Sequence, residues 1–193
     1  MKSAPLRWLR NLVLRKSWAS GEILADLVTT EEAPQRLEPF ALRLLELHPE
    51  ITTLVQHVNP GVALVAEGTL ARVFRGSGTI VERLSGLSFE LSAHSFFQTN
   101  TAQAEQLVAL VREWSAVRAG ETVFDLYCGC GVFALALARD ADPSRVVGFE
   151  LSASSIADAR ANAERNGLAG VRFVAGDIAL TLTPDALALR ELP

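Results

Sequence analysis

The chain has 193 residues, 49% of them apolar and 21% charged, a composition typical of a soluble globular protein and not of a disordered chain. Because no run of about 18 apolar residues occurs and the start lacks a signal-peptide pattern, we expect a cytoplasmic protein with no membrane partner. The formal net charge of −4 argues against a protein that binds nucleic acid over its whole surface.

Basic charge is concentrated at the beginning of the chain. Residues 1–20 contain five of the 18 basic residues and no acidic residue. The five are Lys2, Arg7, Arg10, Arg15 and Lys16. We expect any surface that contacts phosphate groups to lie there. For each of these residues taken singly, a solvated charge beside a strand is an equally good interpretation.

The first half of the chain alternates short β-like runs with Gly, Pro and Asn-Pro turn signals. The predicted strands cover residues 11–15, 23–28, 54–58, 71–74, 79–84 and 89–91. One helix is predicted among them, over residues 34–47. This order of elements indicates a small α+β domain over residues 1–95.

The second half changes to a regular alternation of helices and strands. Predicted helices cover residues 101–118, 132–139 and 153–166, and predicted strands cover residues 122–127, 145–149 and 171–175. Such alternation with short connections specifies a parallel sheet flanked by helices. We therefore predict an α/β, Rossmann-like domain over residues 96–193, incomplete at about three strands, whose exposed sheet edge could allow self-association.

The sequence offers no recognisable metal site. Cys128 and Cys130 are one residue apart, and no second cluster of Cys or His completes a tetrahedral zinc site. The histidines His48, His57 and His94 show no spacing that would bring them together. We therefore predict no metal and assign the histidines no role.

The most informative segment, residues 124–133, runs from a predicted strand through a Gly-x-Gly turn into a helix. Gly129 and Gly131 would let the backbone approach a ligand, the alternative being that they serve only a tight turn. Glu150 ends the next strand about twenty residues on, where a carboxylate can bind both ribose hydroxyls of a nucleoside cofactor. Asp125 would repel a pyrophosphate but suits the sulfonium and amino groups of S-adenosyl-L-methionine.

Two segments together resemble the RNA (uracil-5-)-methyltransferase family, class I S-adenosylmethionine-dependent enzymes that modify ribosomal or transfer RNA. They are residues 125–133, with the sequence DLYCGCGVF, and residues 95–100, with the sequence SFFQTN. The glycine turn is common to class I methyltransferases, whereas the Phe-Phe-Gln-x-Asn segment is particular to this family. The resemblance extends over nearly the whole chain, and it makes residues 1–95 the family's central domain on the RNA side.

The resemblance implies contacts with S-adenosyl-L-methionine for Gln98, Tyr127, Glu150 and Asp177. Gln98 would bind the methionine end, Tyr127 would lie beside the cofactor, and Asp177 would accept from the adenine amino group. The alternatives are a turn residue that caps the next helix for Gln98, a core aromatic for Tyr127 and a helix N-cap for Asp177.

In this family a cysteine attacks C6 of the uracil and a carboxylate later removes the C5 proton. The resemblance places both residues beyond residue 193, and it places Cys128 and Cys130 in the cofactor turn, so no catalytic residue is assigned. We interpret the chain as part of a longer enzyme, inactive by itself, that acts on rRNA in preference to tRNA. The alternatives are an RNA- or partner-binding module from a split or relic methyltransferase, and a small-molecule methyltransferase.

Overall fold

The computed structural model describes residues 8–61 and 68–189, which form two compact units. The first unit comprises residues 1–81 and 92–94, and the second comprises residues 82–91 and 95–193. This division differs from the predicted boundary near residue 95, because residues 82–91 group with the second unit. Lys2 and Arg7 lie outside the described residues.

The first unit is a four-stranded sheet with a helix packed on one face. Its elements are β1 (Leu9–Lys16), β2 (Ile23–Thr29), α1 (Pro34–Leu47), β3 (Thr53–Val58) and β4 (Thr69–Arg75), and the strand order is β1-β2-β3-β4. The β2 and β3 strands are parallel and joined through α1, whereas the outer strands pair antiparallel. The buried residues Leu37, Ala41 and Leu45 repeat every four positions along α1. This stripe packs against Ala25, Leu27 and Leu54 of the sheet.

The prediction that the histidines lie apart was wrong for two of them. The ring centroids of His57 and His94 are 4.1 Å apart, and both imidazoles hydrogen-bond the buried carboxylate of Asp26. His48 is exposed and pairs with Glu50.

The second unit starts within a hairpin. Its strands are β5 (Thr79–Leu84) and β6 (Leu87–Ser92), and both cross the unit boundary. Ser85 and Gly86 connect them with φ values of 51° and 75°, as a type I′ turn requires. The side chains of Asn162 and Asn166 then bind the backbone of β6. Asn162 accepts from the Glu90 amide at 2.7 Å, and Asn166 accepts from the Ser88 amide at 2.9 Å.

A parallel three-stranded sheet forms the rest of this unit, which confirms the predicted α/β class. The strands β7 (Val123–Leu126), β8 (Val146–Glu150) and β9 (Arg172–Ala175) lie in the order β7-β8-β9. The helices are α2 (Thr101–Ser115), α3 (Val132–Leu137), α4 (Ala153–Arg165), α5 (Ile178–Thr181) and α6 (Pro184–Leu189), with a 3-10 turn at Pro143–Arg145. The last two helices have no counterpart among the predicted elements. Self-association through the sheet edge stays a prediction.

No helix in the described part of the chain combines the length and apolar character needed to cross a bilayer.

Candidate cofactor site

Three carboxylates lie at one edge of the parallel sheet. Asp125 belongs to β7, Glu150 is the last residue of β8, and Asp177 follows β9. Asp125 is in register with Gly148, and Glu150 with Ala175, so the three strands end together. In open parallel sheets the carboxyl ends of the strands form the ligand-binding crevice. The structure therefore places the three predicted acidic residues along one such edge.

The connection from β7 to α3 is a tight turn with left-handed backbone conformations. Tyr127, Gly129 and Gly131 have φ values of 64°, 54° and 89°. The Cys128 amide donates to the Phe149 carbonyl at 3.0 Å, and the Gly131 amide donates to the Cys128 carbonyl at 2.9 Å. The first bond fixes the turn to β8, and the second closes the turn on itself.

The two glycines of the turn have different roles. A Cβ atom on Gly131 would lie 3.2 Å from Cζ of Phe173 and 3.3 Å from Cβ of Ala159, so this glycine lets the turn pack closely on the protein itself. A Cβ atom on Gly129 would meet no atom within 4 Å. The space beside Gly129 is therefore open to a ligand, whereas Gly131 packs against the protein. Both glycines have the positive φ of a tight turn, and a cofactor role for each stays a prediction.

Glu150 binds two backbone amides without using its full hydrogen-bonding capacity. Its Oε2 accepts from the Gly129 amide at 3.1 Å, and its Oε1 accepts from the Ser152 amide at 2.9 Å. Each carboxylate oxygen has two lone pairs, so one remains on each oxygen for a pair of hydroxyl donors. The side chain is both oriented by the turn and able to take a ribose diol.

The Asp125 carboxyl lies behind the turn, where its Oδ2 accepts from the Ala134 amide at 2.8 Å. Burial raises its pKa to about 6; the Ala134 hydrogen bond opposes this rise, and the negative charge of Glu150 adds to it. The negative charge of two neighbouring carboxyl groups makes the site attractive to a cationic ligand.

Asp177 caps α5 by accepting from the Ala179 amide with its Oδ1 at 2.8 Å. This is the N-cap alternative of the sequence interpretation. The cap uses one oxygen, and the residue is exposed, so capping is compatible with a second hydrogen-bond partner.

A small cavity separates the segment before α2 from the turn. Phe97, Gln98, Tyr127 and Gly129 are among its lining residues, and its volume is about 80 Å³. The structure thus brings Gln98 and Tyr127 together beside Gly129, while the three carboxylates do not line this cavity. Tyr127 is 76% exposed, so it is not a core aromatic. The cap of α2 is Asn100, which accepts from the Gln103 amide, and not Gln98.

The cysteines of the turn are buried and are not joined in a disulfide. Burial raises the pKa of the Cys128 thiol far above its usual range, and the negative charges of Asp125 and Glu150 raise it further. Because the thiolate is the reactive form, Cys128 is unsuited to nucleophilic attack.

Sequence reasoning missed Asn162, a fully buried residue of α4. Its Nδ2 donates to the Cys130 carbonyl at 3.2 Å, and its Oδ1 accepts from the Glu90 amide at 2.7 Å. Asn162 thereby ties the turn to β6. A signal existed, because this polar residue lies on the helix face that buries Ala159 and Ala163.

Known proteins that are similar in sequence to this chain are methyltransferases. A methyltransferase-domain profile matches residues 118–188. A protein of Clostridium acetobutylicum named uncharacterized RNA methyltransferase is 35% identical over 94% of this chain and 41% of its own length. A Chlorobaculum tepidum protein of the same description is 38% identical over 89% of this chain and 35% of its own length. The chain is therefore similar over most of its length to proteins named RNA methyltransferases, and residues 118–188 match a methyltransferase domain.

A solved structure supports the fold of the chain. The tRNA (uracil-54, C5)-methyltransferase of Pyrococcus abyssi, in complex with S-adenosyl-L-homocysteine, matches with a TM-score of 0.69 and 28% identity. The match covers 88% of this chain and 39% of the Pyrococcus protein. The chain thus spans well under half the length of its relatives.

Proposed function

We propose that this chain supplies the S-adenosyl-L-methionine-binding part of an RNA methyltransferase that acts on C5 of uracil. The observation that carries the proposal is the Glu150 carboxylate, which is oriented by the Gly129 amide and keeps an acceptor position on each oxygen. The likeness to an enzyme named for uracil C5 and the SFFQTN segment support the uracil specificity.

Each site residue has a part that its position supports. The Asp125 carboxylate lies behind the turn, where its negative charge favours a cofactor that carries a sulfonium and an ammonium group, and Glu150 takes the ribose hydroxyls. Asp177 accepts from the adenine amino group. Gln98 and Tyr127 line a cavity of about 80 Å³, large enough for only one end of the cofactor, which we assign to its methionine part. When bound, the cofactor supplies an electrophilic methyl group.

The names of the relatives bear on which RNA a protein of their length would modify. The Pyrococcus relative is named for a tRNA uridine, and the curated relatives are named only for RNA. We expect rRNA to be the substrate. The test offers rRNA and tRNA transcripts, each with cofactor, to a chain of the relatives' length and compares methyl transfer to the two RNAs. In this proposal the attacking cysteine and the base lie beyond residue 193, and the enzyme acts in the cytoplasm.

The cofactor proposal is tested by calorimetry with S-adenosyl-L-methionine on the wild-type chain and on Glu150→Gln. We expect the substitution to weaken binding about tenfold to a hundredfold, because it removes charge-assisted hydrogen bonds to the ribose. The matched control is Glu164→Gln, an exposed glutamate of the second unit, which should bind like the wild type. A folded wild-type chain that does not bind, or equal binding by both variants, would contradict the proposal.

The pH dependence of binding tests Asp125. Because its pKa is about 6, we expect affinity for S-adenosyl-L-methionine to fall as the pH is lowered from 7 to 5 and this carboxylate is protonated. Asp125→Asn should bind more weakly at pH 7 and show a flatter profile, measured by the same calorimetry. If the affinity of Asp125→Asn depended on pH in the same way as that of the wild type, the pH dependence would not come from Asp125.

For the cofactor-free chain, the contribution of Asp125 to the free energy of unfolding should fall as the pH rises, whereas its contribution to cofactor affinity should increase. Its folded-state pKa of about 6 exceeds the ordinary value of 3.8, so the folded chain binds the extra proton between these values. The free energy of unfolding contributed by this group therefore falls as the pH rises through that window. Urea unfolding of the wild type and Asp125→Asn at several pH values isolates the contribution as their difference.

A further inference from the structure

Three ligand-type side chains converge in the first unit, apart from the cofactor residues. Asp26 lies on β2, His57 on β3 and His94 in the segment after β6. The Asp26 Oδ1 lies 2.8 Å from Nδ1 of His57, and its Oδ2 lies 3.1 Å from Nε2 of His94. One ligand atom of each residue lies within 4.8 Å of the other two.

The charge of this cluster favours a cation. Asp26 is fully buried, and in the described part of the chain its ion-pair partners are these two imidazoles. Each carboxylate oxygen of Asp26 accepts from one imidazole. A buried carboxylate is stabilised by a cationic partner, so an ion held between Asp26 and the two imidazoles would suit this position.

The spacing of the ligand atoms also suits a metal ion. Zinc binds imidazole nitrogen and carboxylate oxygen at about 2.0–2.2 Å, which places neighbouring ligand atoms of a tetrahedral site about 3.4 Å apart. The observed N···O separations of 2.8 and 3.1 Å are hydrogen bonds that need to lengthen by only about 0.3–0.6 Å to reach this spacing. A metal can therefore replace the two hydrogen bonds by coordination without a large movement of the strands.

We propose that Asp26, His57 and His94 bind a divalent transition-metal ion of the zinc type. Two imidazoles and one carboxylate are a donor set for such ions, whereas calcium and magnesium favour sites built from oxygen ligands. The His57 and His94 side chains are 11% and 20% exposed, which leaves a route for the ion and room for water as a further ligand. The ion would join β2, β3 and the segment after β6.

The test is a titration of the untagged chain with Co(II), followed by its visible absorption, and then displacement by Zn(II). We expect one equivalent of Co(II) to bind. His94→Ala should weaken binding by at least about tenfold, because it removes a ligand. His48→Ala is the matched control, since His48 is an exposed histidine of the same unit, and it should bind like the wild type.

A second variant guards against a folding defect. His94→Gln keeps a hydrogen-bond donor for Asp26 but is a poor metal ligand, so it should retain the fold by circular dichroism and lose the metal. Zn(II) should raise the melting temperature of the wild type and His48→Ala but not of His94→Gln.

The proposal is overturned if Co(II) does not bind, if His94→Gln binds as tightly as the wild type, or if His48→Ala loses the metal equally. A cobalt–thiolate charge-transfer band would also overturn it, because the metal would then be on Cys128 or Cys130. None of these readouts depends on the cofactor.

Discussion

Replacing Asn162 with leucine should lower the free energy of unfolding of the chain by about 3 kcal/mol. The side chain is fully buried and bonds two backbone groups, the Glu90 amide and the Cys130 carbonyl. Leucine keeps a similar size but leaves both groups without this partner. A buried donor or acceptor that loses its partner costs about 1–3 kcal/mol, so two such losses give the expected effect.

Urea unfolding measures this change, and hydrogen exchange locates it at the Glu90 amide, which should lose protection. The control is Ala161→Leu, which places the same side chain at the adjacent exposed position of α4 and should alter stability by about 0.5 kcal/mol or less. A small loss in Asn162→Leu, with the Glu90 amide still protected, would show that the turn and β6 are held together without this residue.

Gly131→Ala should destabilise the chain by about 3 kcal/mol, and Gly120→Ala by about 1 kcal/mol. The two glycines have nearly the same φ, 89° and 88°, so the conformational cost of a side chain is similar at both. Their surroundings differ, because a Cβ atom meets nothing within 4 Å at Gly120 but lies 3.2 Å from Phe173 at Gly131. The difference between the variants therefore measures the packing of the turn on β9.

Thermal or urea unfolding of both variants tests this expectation. The Gly131→Ala turn should also shift away from Phe173, which should weaken binding of S-adenosyl-L-methionine, while Gly120→Ala should bind normally. Equal destabilisation by the two substitutions would mean that the turn yields to the added methyl group without strain.

Local signals in the sequence were enough to predict most elements. The bounds predicted for α1 and β5, residues 34–47 and 79–84, are those found, because turn residues and changes of periodicity mark both ends. The shared edge of Asp125, Glu150 and Asp177 was also predictable, since parallel strands that alternate with helices end on the same side.

Contacts between distant residues could not be predicted in this way. The partners of Asn162 are 72 and 32 residues away, and nothing in the local pattern specifies that β6 lies beside α4. The meeting of His57 with Asp26 depends on the parallel register of β2 and β3, in which Val28 is opposite His57. The partner that limits Gly131, Phe173, belongs to a later strand. Each of these contacts depends on how distant segments pair in the folded chain, which the local sequence does not specify.

Asn162 of α4 and Asn166, the C-cap that follows this helix, also have a consequence for aggregation. Asn162 and Asn166 lie one helical turn apart and accept from the Glu90 and Ser88 amides, and Asn166 donates to the Ser88 carbonyl at 2.7 Å. Free amides and carbonyls along an edge strand are a template for intermolecular β-pairing. On the side of β6 that faces α4, side chains already occupy these positions, so a strand from a second molecule cannot extend the hairpin there.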